Sequence, residues 1–366
     1  MGKLHRYVSN IPGWRTNRKI VVIESDDWGS IRMPSKETLK TLINSGVKVE
    51  RNRYDNYDSL ESNQDLESLF EVLASFRDMH GNHPVITALC VVANPAFNKI
   101  RECEFKKYYY EPFTSTLNQY PAHDRVMNLW KEGFGRKIFL PQFHGREHLN
   151  VQRWLRDLQS NNRDTLMAFQ NNIWGISTTL IPQGYQAAFD IDFDTDLEYH
   201  KVVIKEGLEL FKELLGYTAE YFVTSNGPFN LTLEEILFNE GVKYITLNKN
   251  HKEPIGNGKF KTHYHYLGKR SSYGLIYFSR NAAFEPSDEG TDWVDSCMSD
   301  VQISFRMKKP AVISTHRVNY IGFLDSANRV KGLTKLKELL TKILKIWPDI
   351  EFMTSVELGK LIEGEV

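Results

Sequence analysis

Two carboxylates stand side by side at Asp26 and Asp27, and two imidazoles lie four positions apart at His144 and His148. Adjacent carboxylates repel unless a cation or a shared proton compensates them. The aspartates follow the apolar run Lys19-Ile-Val-Val-Ile-Glu24, and His144 follows Ile138-Phe-Leu-Pro-Gln-Phe143. Both groups therefore fall at the ends of expected strands. One aspartate and two histidines converging on one ion leave a coordination position open, which is the pattern of a catalytic rather than a structural metal. The other aspartate is then free to act as a general base. A third histidine, His316, ends the strand-like run Ala311-Val-Ile-Ser-Thr315. On a closed or strongly twisted sheet it faces the same cleft and can supply the general acid.

Alternating short apolar runs and amphipathic segments position these residues. Strands are expected at 19–24, 85–92, 138–143, 221–224, 244–247, 311–314 and 350–353, the third weakened by Pro141. The spacing of Leu66, Leu69, Phe70, Leu73 and Phe76 predicts a helix over 64–80 that stops at Gly81. Further helices are expected over 151–158 and 333–347, and Thr354-Ser-Val-Glu357 is a capping-box opening for a last one. Such alternation implies an α/β chain with a parallel sheet or barrel and active-site loops at the carboxyl ends of its strands. Residues 1–366 are expected to form a single domain, with 51–121, rich in Asn, Asp and Tyr, as an insertion.

Composition narrows the function classes. Across 366 residues, 46 Lys plus Arg balance 46 Asp plus Glu, which argues against nucleic acid or an anionic membrane surface as partner. Three cysteines, Cys90, Cys103 and Cys297, form no CxxC pair and no disulfide framework. The first residues lack the apolar core of a signal peptide, and no run approaches the roughly 18 apolar residues of a membrane helix. A cytoplasmic protein is expected, and the oligomeric state is left open.

Ser25-Asp26-Asp27, His144 to His148, Asn226-Gly227-Pro228-Phe229 and Ile313-Ser314-Thr315-His316 occur in the order of the motifs of a known family. The chain resembles the polysaccharide deacetylases of the nodulation-factor chitooligosaccharide deacetylase type, carbohydrate esterases, over Lys19 to His316. The resemblance implies a distorted (β/α) barrel and a metal-dependent hydrolase that removes acetyl groups from N-acetylated or O-acetylated sugars or polysaccharide precursors. It implies a divalent cofactor, with zinc expected, held by Asp27, His144 and His148. Asp26 is then the base, His316 the acid, and a carbohydrate the partner. The pattern departs from the family in two places. The first motif reads Glu24-Ser25 where the family has Thr-Phe, and no arginine opens the third motif to hold the base. Arg32, Arg146, Arg280 and Arg317 are the candidates to replace it.

Other readings compete. His144-Gly-Arg-Glu-His148 also spells the H-x-x-E-H of an inverted zinc peptidase, with Glu147 as base, provided that it lies in a helix. A carbohydrate-binding protein that keeps the metal site without turnover is a non-enzymatic alternative. His263 and His265 alternate on one expected strand face without an evident carboxylate partner, and Asp190, Asp192, Asp194 and Asp196 read as a solvated acidic loop. Trp28, Trp174 and Trp293 are candidate sugar-stacking rings, and a backbone N–H near Phe229 is a candidate oxyanion donor.

Overall fold

The run Ile20-Val-Val-Ile23 has β-branched residues on both faces of a strand, which suits a parallel sheet covered on both sides. In the computed structural model, which describes residues 3–47, 49, 52–176 and 184–364, it lies in β1 (Lys19–Trp28). The following strands are β2 (Ile86–Val91), β3 (Ala93–Pro95), β4 (Tyr110–Pro112), β5 (Phe139–Gly145), β6 (Tyr221–Val223) and β7 (Tyr244–Thr246). After them come β8 (Asn250–Pro254), β9 (Phe260–Tyr264), β10 (Ile276–Phe278), β11 (Ala282–Ala283), β12 (Ala311–His316) and β13 (Ile350–Phe352). The main sheet runs β10-β7-β6-β5-β2-β1-β12-β11, with β13 also on β1, and its pairings are parallel. β3 with β4 and β8 with β9 form two small antiparallel ribbons.

The two edges of this path, β10 and β11, are separated in sequence by Ser279, Arg280 and Asn281 alone. So short a link spans at most about 14 Å, so the sheet must curl until its edges meet. The result is a distorted (β/α) barrel, as the resemblance implied, with a seam bridged by residues 279–281. Alternate residues of β1 then serve two different cores. Ile20 and Val22 pack with Leu89, Tyr221, Val223, Tyr244, Ile276, Phe278 and Val312 inside the barrel, and Val356 and Leu358 of the last helix (Ser355–Glu363) join them. Val21 and Ile23 pack outward against helical residues such as Leu66, Leu69, Phe70, Leu336 and Leu340.

Several expected elements shift. The helix expected over 64–80 spans Asn63–Ala74, because Ser75 already caps it. Pro141 sits inside the central strand β5, tolerated where β6 meets β5 at the single pair Phe143↔Phe222. The segment 51–121 includes the expected strand at 85–92, seen as β2, which lies between β1 and β5 in the sheet. Its first residue, Arg51, lies outside the described residues. The aspartates at 190–196 are not a solvated loop: Arg153 pairs with Asp190 and Asp192, and Arg156 with Asp192 and Asp196. Buried Asp196 also accepts from the backbone N–H groups of Asp192 and Phe193, opening a helix over Asp194–Leu215. Among the described residues, no helix is long and apolar enough to cross a membrane.

Helix Ser326–Ile346 packs against the turn that follows His316, and Gly332 is the point of closest approach. A Cβ there would lie 1.6 Å from the Asn319 carbonyl oxygen. Gly332→Ala is therefore expected to destabilise the protein by about 1–3 kcal/mol or more, read as a lower urea midpoint.

Candidate functional site

Adjacent residues of a regular strand point to opposite faces, so Asp26 and Asp27 could not both reach one cavity from an unbroken β1. The strand solves this with a register shift against β2 between Ser25 and Trp28, and Asp27 takes φ 77°. Such a bulge re-aims a side chain. Asp26 and His316 lie directly opposite each other on the parallel pair β1 and β12. His144 is the last residue but one of β5, and His148 follows in the loop that leads to helix Val151–Gln159. All five line one polar cavity of about 330 Å³ at the carboxyl ends of the strands.

Asp27, His144 and His148 are buried, and one ligand atom from each lies within 4.8 Å of the others. The Asp27 Oδ1 atom is 3.1 Å from His148 Nε2 and 3.5 Å from His144 Nε2. His144 Nδ1 lies 2.8 Å from the Val223 carbonyl, to which it donates, so its Nε2 lone pair faces the carboxylate. Asp27 Oδ1 is buried without a hydrogen bond, as is His148 Nδ1. A carboxylate oxygen and an imidazole lone pair held face to face repel unless a cation lies between them, so the residues fit a divalent metal. Two nitrogens and one oxygen suit zinc and its neighbours in the first transition row.

Asp26 is fixed from the other side. Arg280, in the seam of the barrel, donates from Nη1 and Nη2 to its two oxygens at 2.7 and 2.5 Å. Arg280 Nε donates at 2.7 Å to Glu24, which is fully buried and also accepts from the Tyr221 hydroxyl and from Ser355 Oγ. Burial would raise the Asp26 pKa, but the Arg280 charge and hydrogen bonds hold it below the usual carboxylate value. His316 Nδ1 is 2.6 Å from Glu285 Oε1, and its Nε2 is 3.9 Å from Asp26 Oδ2. Burial opposes its charge, yet Glu285 and the aspartates push the imidazole up to about 9, so it keeps its proton at neutral pH.

Of the four arginines considered for the base, Arg280 therefore holds Asp26. Arg146 is committed to Glu147 and Glu206, and Arg317 to Asp58 and Glu61. Arg32 lines the cavity but does not touch Asp26. The Asn226-Gly227 part of the third motif also lines the cavity, whereas Phe229 is buried among Phe189 and Phe222 and offers the cavity nothing. Trp28 is core, edge-on to Phe139, and Trp293 opens a distant helix. Trp174 alone of the three candidate rings stands near the site, stacked 6.0 Å from His148. His263 does have a carboxylate partner, Glu253 at 2.7 Å, but among the described residues Asp27, His144 and His148 are the group whose ligand atoms converge.

The His-x-x-Glu-His string is not helical: it runs from the end of β5 into a loop. Both oxygens of Glu147 are taken by Arg146, at 2.6 and 2.7 Å.

No protein-family model and no curated protein matches the chain. Among solved structures it is similar to a putative polysaccharide deacetylase from Mycobacterium smegmatis, at 10% identity over 97% of this chain and 93% of that one, TM-score 0.47. It is similar to a probable polysaccharide deacetylase from Pseudomonas aeruginosa PAO1, at 9% identity over 96% and 92%, TM-score 0.45. A 4-alpha-glucanotransferase from Thermococcus litoralis gives 11% identity and TM-score 0.47 over 93% of this chain, which spans 40% of that protein. Neighbours named for different reactions, at such identities, leave function to be argued from the site.

Proposed function

We propose that this chain is a metal-dependent deacetylase acting on N-acetylated or O-acetylated sugars, with Asp27, His144 and His148 as ligands of a zinc-like ion. The reading takes residues 1–366 as one barrel domain. What carries it is the juxtaposition of the unpaired Asp27 oxygen and two imidazoles with a carboxylate held ionised by Arg280 and an imidazole held protonated by Glu285. Hydrolysis of an amide or ester needs both a base and an acid at one carbonyl, and each typically contributes about 10²- to 10⁴-fold. A bound divalent metal supplies Lewis acidity toward the acetyl oxygen. Asp26 takes a proton from the attacking water. His316 gives its Nε2 proton to the departing amine or alkoxide, and Glu285 keeps that ring oriented.

The test is acetate release from acetylated chitooligosaccharides and acetylated xylan, before and after chelation. Activity lost on chelation and restored by zinc supports the reading, whereas metal-loaded protein that frees no acetate from acetylated sugars sinks it. A peptidase reading is disfavoured by the loop conformation around Glu147 and by its pairing with Arg146. Glu147→Gln is expected to lower stability, because it weakens a buried ion pair, yet to change kcat by less than about tenfold, far below the loss of a general base. Thermal unfolding and acetate release on the same preparation separate the two effects.

A further inference from the structure

Once Arg280, Arg146 and Arg317 are matched to their carboxylates, one buried cation at the cavity remains without a hydrogen bond among the described residues. The Arg32 side chain is 5% exposed, and its nearest carboxylate oxygen, Asp58 Oδ2, lies 3.8 Å from Nε, beyond hydrogen-bond reach. Asp58 Oδ2 is itself left without a hydrogen bond. Buried Asp55 and Asp58 thus balance the Arg32 charge without filling its donors. The guanidinium is held in place by aromatic faces, with Cζ 5.0 Å from the Trp174 ring and 5.6 Å from the Tyr54 ring. Trp174 Nε1 also donates to the Ile31 carbonyl at 2.8 Å, fixing the backbone beside Arg32. At Gly175 the chain passes so close that a Cβ would lie 3.0 Å from Arg32 Nη1.

A guanidinium offers five N–H donors in a planar fork, and buried donors left unmade are costly. Stacking on rings occupies its faces and leaves the donor edge available. The partners that match such a fork are the paired oxygens of a carboxylate or a phosphate. The two aspartates of the cavity do not bar an anion here, because Asp26 is neutralised by Arg280 and Asp27 faces the metal position, and the unfilled N–H donors of Arg32 are what would hold it.

We propose that Arg32 is the subsite for an anionic group of the substrate, so that the acetylated sugar is an acidic one, bearing a carboxylate or a phosphate. This specifies the substrate class and rests on the deacetylase reading for the reaction itself.

The test compares kcat/KM for acetate release from N-acetylglucosamine 1-phosphate, an acetylated glucosaminuronate and neutral N-acetylglucosamine, in wild type, Arg32→Gln and Arg32→Lys. Wild type is expected to favour at least one acidic substrate by about ten- to a hundredfold, as charge-assisted hydrogen bonds allow. In Arg32→Gln that ratio falls to near unity, and Arg32→Lys, which keeps charge but loses the fork, lies between. Preference for the phosphate or the uronate tells which anion the fork takes. A wild-type ratio near unity, or one that Arg32→Gln leaves unchanged, overturns the proposal. Binding of glucose 1-phosphate, glucuronate and glucose to the zinc-loaded protein, followed by calorimetry, separates this proposal from the reaction. If no acetate is released but an acidic ligand binds more tightly than glucose and loses that advantage in Arg32→Gln, the subsite stands and the deacetylase reading fails. If neither acidic ligand binds better than glucose, the subsite fails.

Discussion

Asp26→Asn is expected to keep its metal while acetate release falls by about 10²- to 10⁴-fold, the range for loss of a positioned general base. The substitution preserves shape and leaves Asp27, His144 and His148 untouched, so the ion has no reason to depart. It removes the basic oxygen and also disturbs the Arg280 fork, since an amide NH₂ cannot accept from a guanidinium as the second carboxylate oxygen does at 2.5 Å. Arg280 keeps its hydrogen bond to Glu24, so the seam of the barrel retains an anchor. Metal analysis and kcat on one preparation check both halves of the expectation. Full activity in the variant would remove Asp26 from the mechanism, and loss of metal together with activity would make it a ligand instead.

The residues of the candidate site that are legible in the sequence are those whose neighbours carry a pattern. Asp26, Asp27, His144 and His316 lie in the last residues of strands that β-branched or apolar runs announce, and His148 follows at a spacing that one ion can bridge. What could not be read is how adjacent aspartates come to share one cavity, because a register shift and a positive φ leave no trace in residue type at Asp27. Arg280 was one of four candidate arginines with nothing to choose among them. It lies between strands of three and two residues, too short for any periodicity, and only closure of the barrel brings it to Asp26. Glu24 and Glu285 carry no signal in the sequence for a related reason: each is a single acidic residue whose partner, Arg280 or His316, is distant in sequence. The helix over 194–215 was obscured by its acidic start, since Asp190 to Asp196 read as a loop until Arg153 and Arg156 are seen to neutralise it. The alternation of strands and helices needs no such long-range information and suffices for an α/β chain with a parallel sheet or barrel, whereas the choice of a barrel rests on the family resemblance.

Arg280→Gln is expected to cost about 3–5 kcal/mol of stability, as when one partner of a buried ion pair is removed. Two carboxylates, Glu24 and Asp26, depend on this guanidinium, and both are buried. Glu24 would keep the Tyr221 and Ser355 hydroxyls but no counter-charge among its hydrogen-bond partners. Asp26 would lose the interaction that holds it ionised against burial, so its affinity for a proton rises and its competence as a base falls. Stability and catalysis can be separated by adding Glu24→Gln, because the double variant no longer strands the Glu24 charge and leaves only Asp26 without its partner. Urea unfolding of the double variant is then expected to recover part of the lost stability, while acetate release stays low because Asp26 still lacks its holder. A single variant as stable as wild type would show that the Glu24-Arg280-Asp26 chain does not support the barrel seam. A double variant that regains the wild-type rate would show that Arg280 serves stability alone and that something else positions the base.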